Sequence, residues 1–264
     1  MRTPFRHLFI LIFGYTFLYL PILLTILYSF NSSRLMSMWG GFSFKWYEKL
    51  FTNTELISAA FLSLKIAATS ATCAVFFGTM AAVALSRLKT FRGFTLFSTL
   101  LTAPLVMPDI ITGLALLLTF ISFESLFGWP SGRGFETILI SHVTFSIAYV
   151  AIIVKARLEQ FDLSLEEAAM DLGCRPLKAF LVITIPIITP ALLAGWLLAF
   201  TLSLDDVVIA SFVSGPGTTT LPMVVFSSVR LGISPEINAL GAVIISCFAI
   251  VLTVSYFVMH RKKD

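Results

Sequence analysis

The feature that most constrains this chain is a set of six long apolar runs, separated by short stretches of charge or turn residues. Runs of this length, roughly 20 residues, match the hydrocarbon thickness of a bilayer. The runs at 8–33, 66–86, 137–154, 179–204 and 237–259 carry no Asp, Glu, Lys or Arg, and the run at 93–123 carries one, Asp109. Only 12% of the 264 residues are charged and 58% are hydrophobic, whereas a soluble domain carries about a quarter charged residues. A water-soluble globule, a disordered chain and a disulfide scaffold are excluded together. The expected fold class is all-α: a polytopic integral membrane protein with six transmembrane helices. The spans are expected at about 8–32, 60–86, 94–123, 137–154, 180–213 and 237–259 in one domain over 1–264.

The first run follows Arg2 and Arg6 as a signal peptide would, but it is too long for an h-region and no small-x-small cleavage site follows. It is expected to stay as the first helix. A seventh apolar window, 207–229, is interrupted by Ser214-Gly-Pro-Gly-Thr-Thr-Thr-Leu-Pro222, which is turn chemistry. Residues 207–213 are therefore assigned to the end of the fifth helix, and the rest of the window to an ordered external or re-entrant segment.

The net charge of +4 reads as orientation, with no basic stripe interleaved with aromatics to suit nucleic acid. One set of loops holds twelve Lys and Arg and the other six. The positive-inside rule then puts both termini in the cytoplasm and makes 155–179 a cytoplasmic loop. The three cysteines, Cys73, Cys174 and Cys247, show no metal or disulfide spacing. Trp39, Trp46 and Tyr47 on the outer side read as interface anchors.

The loop 155–179 is the most charged part of the chain. Ser164-Leu-Glu-Glu167 has the form of a capping box, with Ser164 as the cap and Glu167 reaching back. Glu166 and Glu167 suit the positive end of a helix, and Leu165, Ala168, Ala169 and Leu172 form one small apolar face. Gly173 supplies a C′ residue and Pro176 stops continuation. The spacing predicts a helix of two to three turns, too short to stand alone in water, with a face open to a partner.

These residues carry a resemblance. Glu167-Ala168-Ala169, three residues, Gly173, nine residues and Ile183-Thr-Ile-Pro186 resemble the EAA loop of binding-protein-dependent ABC importer permeases. The one departure is Ile185 for the usual Leu. Phe30-Asn-Ser-Ser33, Trp46-Tyr47, Ala103-Pro-Leu-Val-Met-Pro-Asp109 and the stretch from Ser203 to Pro216 are similar to the polyamine subgroup. The Gly128-Trp-Pro130 and Gly215-to-Pro222 loops are similar to the second permease subunit of putrescine importers. The resemblance implies a type I (MetI-like) permease fold in a bacterial inner membrane and no enzymatic activity on this chain. It implies a second permease subunit forming a heterodimer, two copies of a cytoplasmic ATPase that hold ATP and Mg, and an external solute-binding protein. The coupling residues implied are Ser164, Glu166, Glu167, Ala168, Ala169, Asp171 and Gly173.

Three acids stand in or beside the apolar runs. Asp109 follows Pro104 and Pro108, whose rings free the carbonyls of Leu100 and Pro104, and is expected mid-span. An acid there is costly against lipid and marks a path by default. Asp205 and Asp206 follow a charge-free stretch of the fifth run; on one helix they point about 100° apart, so one can face a path while the other caps a bend. Carboxylates, carbonyls and aromatic faces are what organic diammonium ions need, and no Lys or Arg occupies the centre of these spans. The substrate path assigned to Asp109, Asp205 and Asp206 therefore suits a cationic polyamine. Glu124, Glu136 and Glu236 are candidates for an outer negative funnel or for docking contacts, and His142 for an interhelical hydrogen bond. No P-loop occurs, so ATP is not bound that way here, and no metal or cofactor motif occurs. The rival readings are an ion-gradient-driven transporter of organic cations, with Asp109 as the ion site, and a membrane-embedded enzyme, for which no His pair or nucleophile constellation exists.

Overall fold

The computed structural model describes residues 3–34, 38–88, 91–231 and 235–260. Arg2, Lys89, Arg261, Lys262 and Lys263, which enter the charge count of the inner loops, lie outside them. Among the described residues the regular elements are helices, with one isolated β-bridge between Asn31 and Phe42. Five stretches are long and apolar enough to cross a membrane: His7–Ser29, Thr54–Arg87, Asp109–Phe127, Phe135–Glu159 and Pro176–Asp205. The last helix, Pro235–His260, has 26 residues and no Asp, Glu, Lys or Arg beyond Glu236.

Two compact units divide the chain, Met1–Ser58 with Val225–Asp264, and Ala59–Val224. In the first, α1 (Thr3–Ser29) packs along α12 (Pro235–His260), which also meets α2 (Lys45–Thr52). The loop between α1 and α2 is organised by Asn31. Its Nδ2 donates to the Met38 carbonyl at 2.9 Å, and its Oδ1 accepts the N–H groups of Gly40 at 2.8 Å and Ser33 at 3.2 Å. Trp46 Nε1 donates to the Asn31 carbonyl at 2.6 Å and Tyr47 Oη lies 2.7 Å from Ser29 Oγ. Trp46 is therefore buried in this unit, not an interface anchor: a buried indole N–H needs a partner, and the Asn31 turn supplies it. Glu236 in the first turn of α12 is buried too, accepting from Lys49 Nζ and from Asn53 Nδ2 at 3.2 Å. It closes this unit and does not belong to a funnel.

In the second unit α6 (Phe135–Glu159) is the central helix and packs most extensively on α9 (Ile185–Asp205). The core contains Ala71, Ala74 and Ala82 of α3 (Thr54–Arg87), Val150, Val154 and Leu158 of α6, and Ile188 and Ala199 of α9. Small residues at helical spacing on α3 bring backbones close, which is how helices gain packing where lipid removes the hydrophobic drive. The sequence Pro176–Asp205 is a continuous helical stretch in three parts: α8 (Pro176–Ala179), a π-helical turn Phe180–Thr184, and α9. Pro186 lacks the N–H that would continue an α-helical ladder, and one extra residue in the turn absorbs the misfit. Between α6 and α8, Ser164–Asp171 forms α7.

Two expected spans are interrupted. The 94–123 span is two helices, α4 (Phe94–Val106) and α5 (Asp109–Phe127). The 180–213 span is likewise broken: α9 ends at Asp205, and residues 208–213 form a separate short helix, α10 (Val208–Val213). Beyond it, Leu221-Pro222 opens α11 (Leu221–Leu231), whose first N–H is taken by Ser63 Oγ at 2.8 Å. Pro222 thus starts a helix, where a missing N–H costs little.

Candidate functional site

The break between α4 and α5 follows from Pro108. A proline pushes its predecessor out of the helical region, and Met107 has ψ 136° while Pro108 has ψ 139°. The Pro108 carbonyl then accepts from Ile111 N–H at 2.9 Å and Thr112 N–H at 3.1 Å, opening α5. Asp109 is accordingly the first residue of α5 and not a mid-helix residue, and it is exposed.

The break after α9 is made by an acid. Asp206 leaves the helical region with ψ 125°, and its carboxylate accepts the N–H groups of Ile209 at 3.2 Å and Ala210 at 2.7 Å, capping α10. A short acid side chain that competes for backbone N–H groups interrupts a helix in this way. The outer end of α10 is held by Thr137 Oγ1, which donates to the Val213 carbonyl at 2.6 Å. On its flank α10 packs against α5, where a Cβ on Gly113 would come within 2.7 Å of Phe212 Cδ2, so only glycine allows the approach. Asp205 and Asp206 thus separate by role: Asp206 turns inward as a cap, while Asp205, the last residue of α9, stays exposed.

Behind Asp206 lies a buried polar chain that sequence reasoning met only at His142. His142 Nε2 is 3.2 Å from Asp206 Oδ2, His142 Nδ1 is 2.7 Å from Ser203 Oγ, and Ser203 Oγ is 3.0 Å from Ser70 Oγ. Two further acids do structural work: Glu124 accepts the Gly132 N–H at 3.0 Å and Glu136 accepts from Trp129 Nε1 at 3.2 Å.

The loop 155–179 is built differently at its two ends. Its start is capped by Asp162, whose Oδ1 accepts the Ser164 N–H at 3.0 Å, so the capping box on Ser164 does not form; Ser164 is already the first helical residue. The Ser164 N–H, and after it the Ser164 hydroxyl, hold the Asp162 carboxyl below the usual carboxylate range. The end is a Schellman motif: Cys174 N–H donates to the Ala169 carbonyl at 3.0 Å, Gly173 N–H to Met170 at 2.8 Å, and Gly173 takes φ 86°.

Glu166 and Glu167 face opposite ways. Glu166 is buried and receives both Arg87 guanidinium nitrogens at 2.6 Å each, together with the Thr184 hydroxyl. One carboxylate thereby clamps α7 to the C-terminal end of α3 and to the π-helical turn before α9. Glu167, Ala168, Asp171 and Gly173 remain exposed and Ala169 half-buried. Leu165 is 47% exposed and Leu172 90%, so the predicted apolar face is uncovered in this chain. Beside it Ala169, Leu172, Gly173, Cys174, Arg175 and Lys178 line a concavity of about 500 Å³.

Comparison with known proteins agrees with this geometry. The family described as "Binding-protein-dependent transport system inner membrane component" matches residues 74–262. The putrescine transport system permease protein PotI of Escherichia coli K12 is 56% identical over 263 residues, covering 100% of this chain and 93% of its own. The spermidine/putrescine transport system permease protein PotC of the same strain is 41% identical over 248 residues, 94% and 91% of the two chains. Among solved structures, a bacterial ABC transporter involved in the import of alginate, an acidic polysaccharide, superposes with TM-score 0.73 at 18% identity over 97% of this chain and 95% of its own. An amino acid ABC transporter superposes with TM-score 0.54 at 21% identity over 82% and 98%. With a family match over most of its length, relatives similar from end to end, and the EAA-type loop folded as a presented helix, the chain belongs to the inner-membrane permease components of binding-protein-dependent ABC importers.

Proposed function

We propose that this chain is one of two permease subunits of an ATP-driven importer for polyamines, putrescine first among them. The observation that carries the reading is the pair of helix breaks. At each, a helix C-terminus with its partial negative charge adjoins an exposed acid, Asp109 after α4 and Asp205 at the end of α9. A flexible dication needs two separated negative sites, and these helix ends offer carboxylate and carbonyl oxygen in spans whose central stretches hold no Lys or Arg. The names of the relatives support the same substrate class. The family match supports the importer and lends nothing to the ion-gradient rival.

In this reading both termini are cytoplasmic and the second permease completes a heterodimer. Two copies of the ATPase, which hold ATP and Mg, dock on the face of α7 bearing Leu165, Ala168 and Leu172. A loaded solute-binding protein docks outside. Closing the ATPase pair swings α7 and, through Glu166, the inner ends of α3 and the π-helical turn. The breaks then open outward to the binding protein, and hydrolysis resets them inward; substrate has to interact differently with the two states for this to work.

The test is radiolabelled putrescine uptake into proteoliposomes holding the complete complex, with ion gradients collapsed, with and without internal ATP. Uptake requiring both ATP and binding protein is expected. Uptake only when an ion gradient is restored would transfer the assignment to the gradient-driven rival, and no uptake in either condition would remove putrescine as the substrate.

A further inference from the structure

The chain Ser70–Ser203–His142–Asp206 joins three long helices, α3, α9 and α6, to the α9–α10 break, and all of it lies in one compact unit. Ser70, His142 and Ser203 are 0%, 2% and 7% exposed. Its direction follows from donor chemistry. A carboxylate oxygen only accepts, so a proton between the imidazole and Asp206 belongs to Nε2, while the hydrogen bond between Nδ1 and the Ser203 hydroxyl can be donated from either side. Ser203 in turn accepts from Ser70. Nε2 stands at ion-pair distance from Oδ2 without an aligned hydrogen bond, and no other hydrogen-bond partner meets it among the described residues. Asp206 already has two backbone N–H donors as the cap of α10. The imidazole is therefore not needed to make the cap; it fixes which way the capped carboxylate, and the backbone carrying it, is turned.

We propose that His142 is a positioning residue for cation translocation. Braced by Ser203 and Ser70, it holds Asp206 inward and so fixes the break that leaves Asp205, one residue earlier, exposed as the acid available to the cation. The inference rests on the reading of the breaks as a cation path, and two readouts separate their failures.

The first readout needs no substrate. In the assembled complex with Cys73, Cys174 and Cys247 replaced by Ala, Asp205→Cys is labelled by a cationic methanethiosulfonate reagent, with His142 native or changed. His142→Phe, which keeps the bulk and removes both nitrogens, is expected to lower the labelling rate about tenfold, as loss of a buried polar partner would. His142→Gln, which restores a donor toward Asp206, is expected to recover it to within about twofold. The second readout is diamine uptake with Asp205 intact, where His142→Phe raises KM about tenfold with a smaller change in maximal rate. Equal labelling rates and equal KM in native and His142→Phe complexes would overturn the proposal. Should His142→Phe fail to insert, Ser203→Ala removes the hydroxyl bonded to Nδ1 and is expected to lower labelling about threefold, an unchanged rate again overturning it. A labelling effect in a complex that imports no diamine would keep the positioning role and remove only the substrate.

Discussion

Glu166 and Glu167 are neighbours in sequence and opposites in environment. Glu166 holds a two-pronged guanidinium contact while buried in the first turn of α7, and Glu167 stands exposed. Removing one member of a buried pair leaves the other uncompensated. Glu166→Ala is expected to destabilise the seating of α7 by about 1–3 kcal/mol, the partial exposure of Arg87 keeping it below the fully buried limit. Faster proteolysis within the loop of the purified complex checks it. Glu167→Lys should change loop proteolysis little, because a surface substitution stays within about 0.5 kcal/mol, yet abolish ATP-driven uptake by opposing the ATPase surface. Equal proteolysis in both variants would dissolve the distinction. The signature residues are readable from spacing alone, but this division of labour is not. Arg87 is 79 residues from Glu166, and nothing local in either stretch announces the pair. The same holds for His142 with Ser203, 61 residues apart, and for Trp46, whose indole reads as an anchor until Asn31 provides its acceptor.

Helix breaks are the level at which local chemistry is partly legible. Pro104 and Pro108 announce trouble in the third span, and Gly173 announces the end of α7, because both residue types act through their own backbone. The break at Asp206 has no proline or glycine to mark it. Its cause is a side chain choosing the N–H groups of Ile209 and Ala210 over continuation, a choice that Thr137 and His142 support from other parts of the fold. The two breaks respond differently to substitution. Pro108→Ala restores an N–H at the junction of α4 and α5 and is expected to let the helix continue through Met107, carrying Asp109 into a helix interior. Uptake should fall at least about tenfold with insertion intact if Asp109 lines the proposed path, since a small displacement of a group that positions the substrate has large effects. Asp109→Asn keeps the break and removes only the charge, so it should weaken diamine uptake with little effect on assembly. Unchanged transport kinetics in Asp109→Asn would confine that acid to a structural role at the start of α5.

For the molecule as a transport subunit, the coupling loop and both helix breaks fall in the same compact unit, Ala59–Val224. The clamp at Glu166 grips Arg87 at the C-terminal end of α3, and Ser70, on the same helix about 26 Å away at 1.5 Å per residue, is the far end of the chain that reaches Asp206. Thr184 and Ser203 give a second rigid route at the two ends of α9. In the proposed cycle, motion of α7 would reach the break through these helices, provided α7 itself stays rigid. That rigidity depends on Gly173, whose φ of 86° closes the Schellman turn and which a side chain resists by about 1–2 kcal/mol. Gly173→Leu is expected to fray α7 and lengthen the linkage. The complex should then insert and still hydrolyse ATP, but with hydrolysis no longer accelerated by loaded binding protein and with uptake lost. Gly173→Asn, which tolerates the left-handed region better, should retain a substantial part of both. Measuring ATP hydrolysed per diamine imported separates the outcomes: a ratio that climbs steeply in Gly173→Leu and modestly in Gly173→Asn places the turn in the coupling route. Equal ratios in all three complexes would mean that α7 transmits closure through its exposed face alone, whatever the conformation of its C-terminal turn.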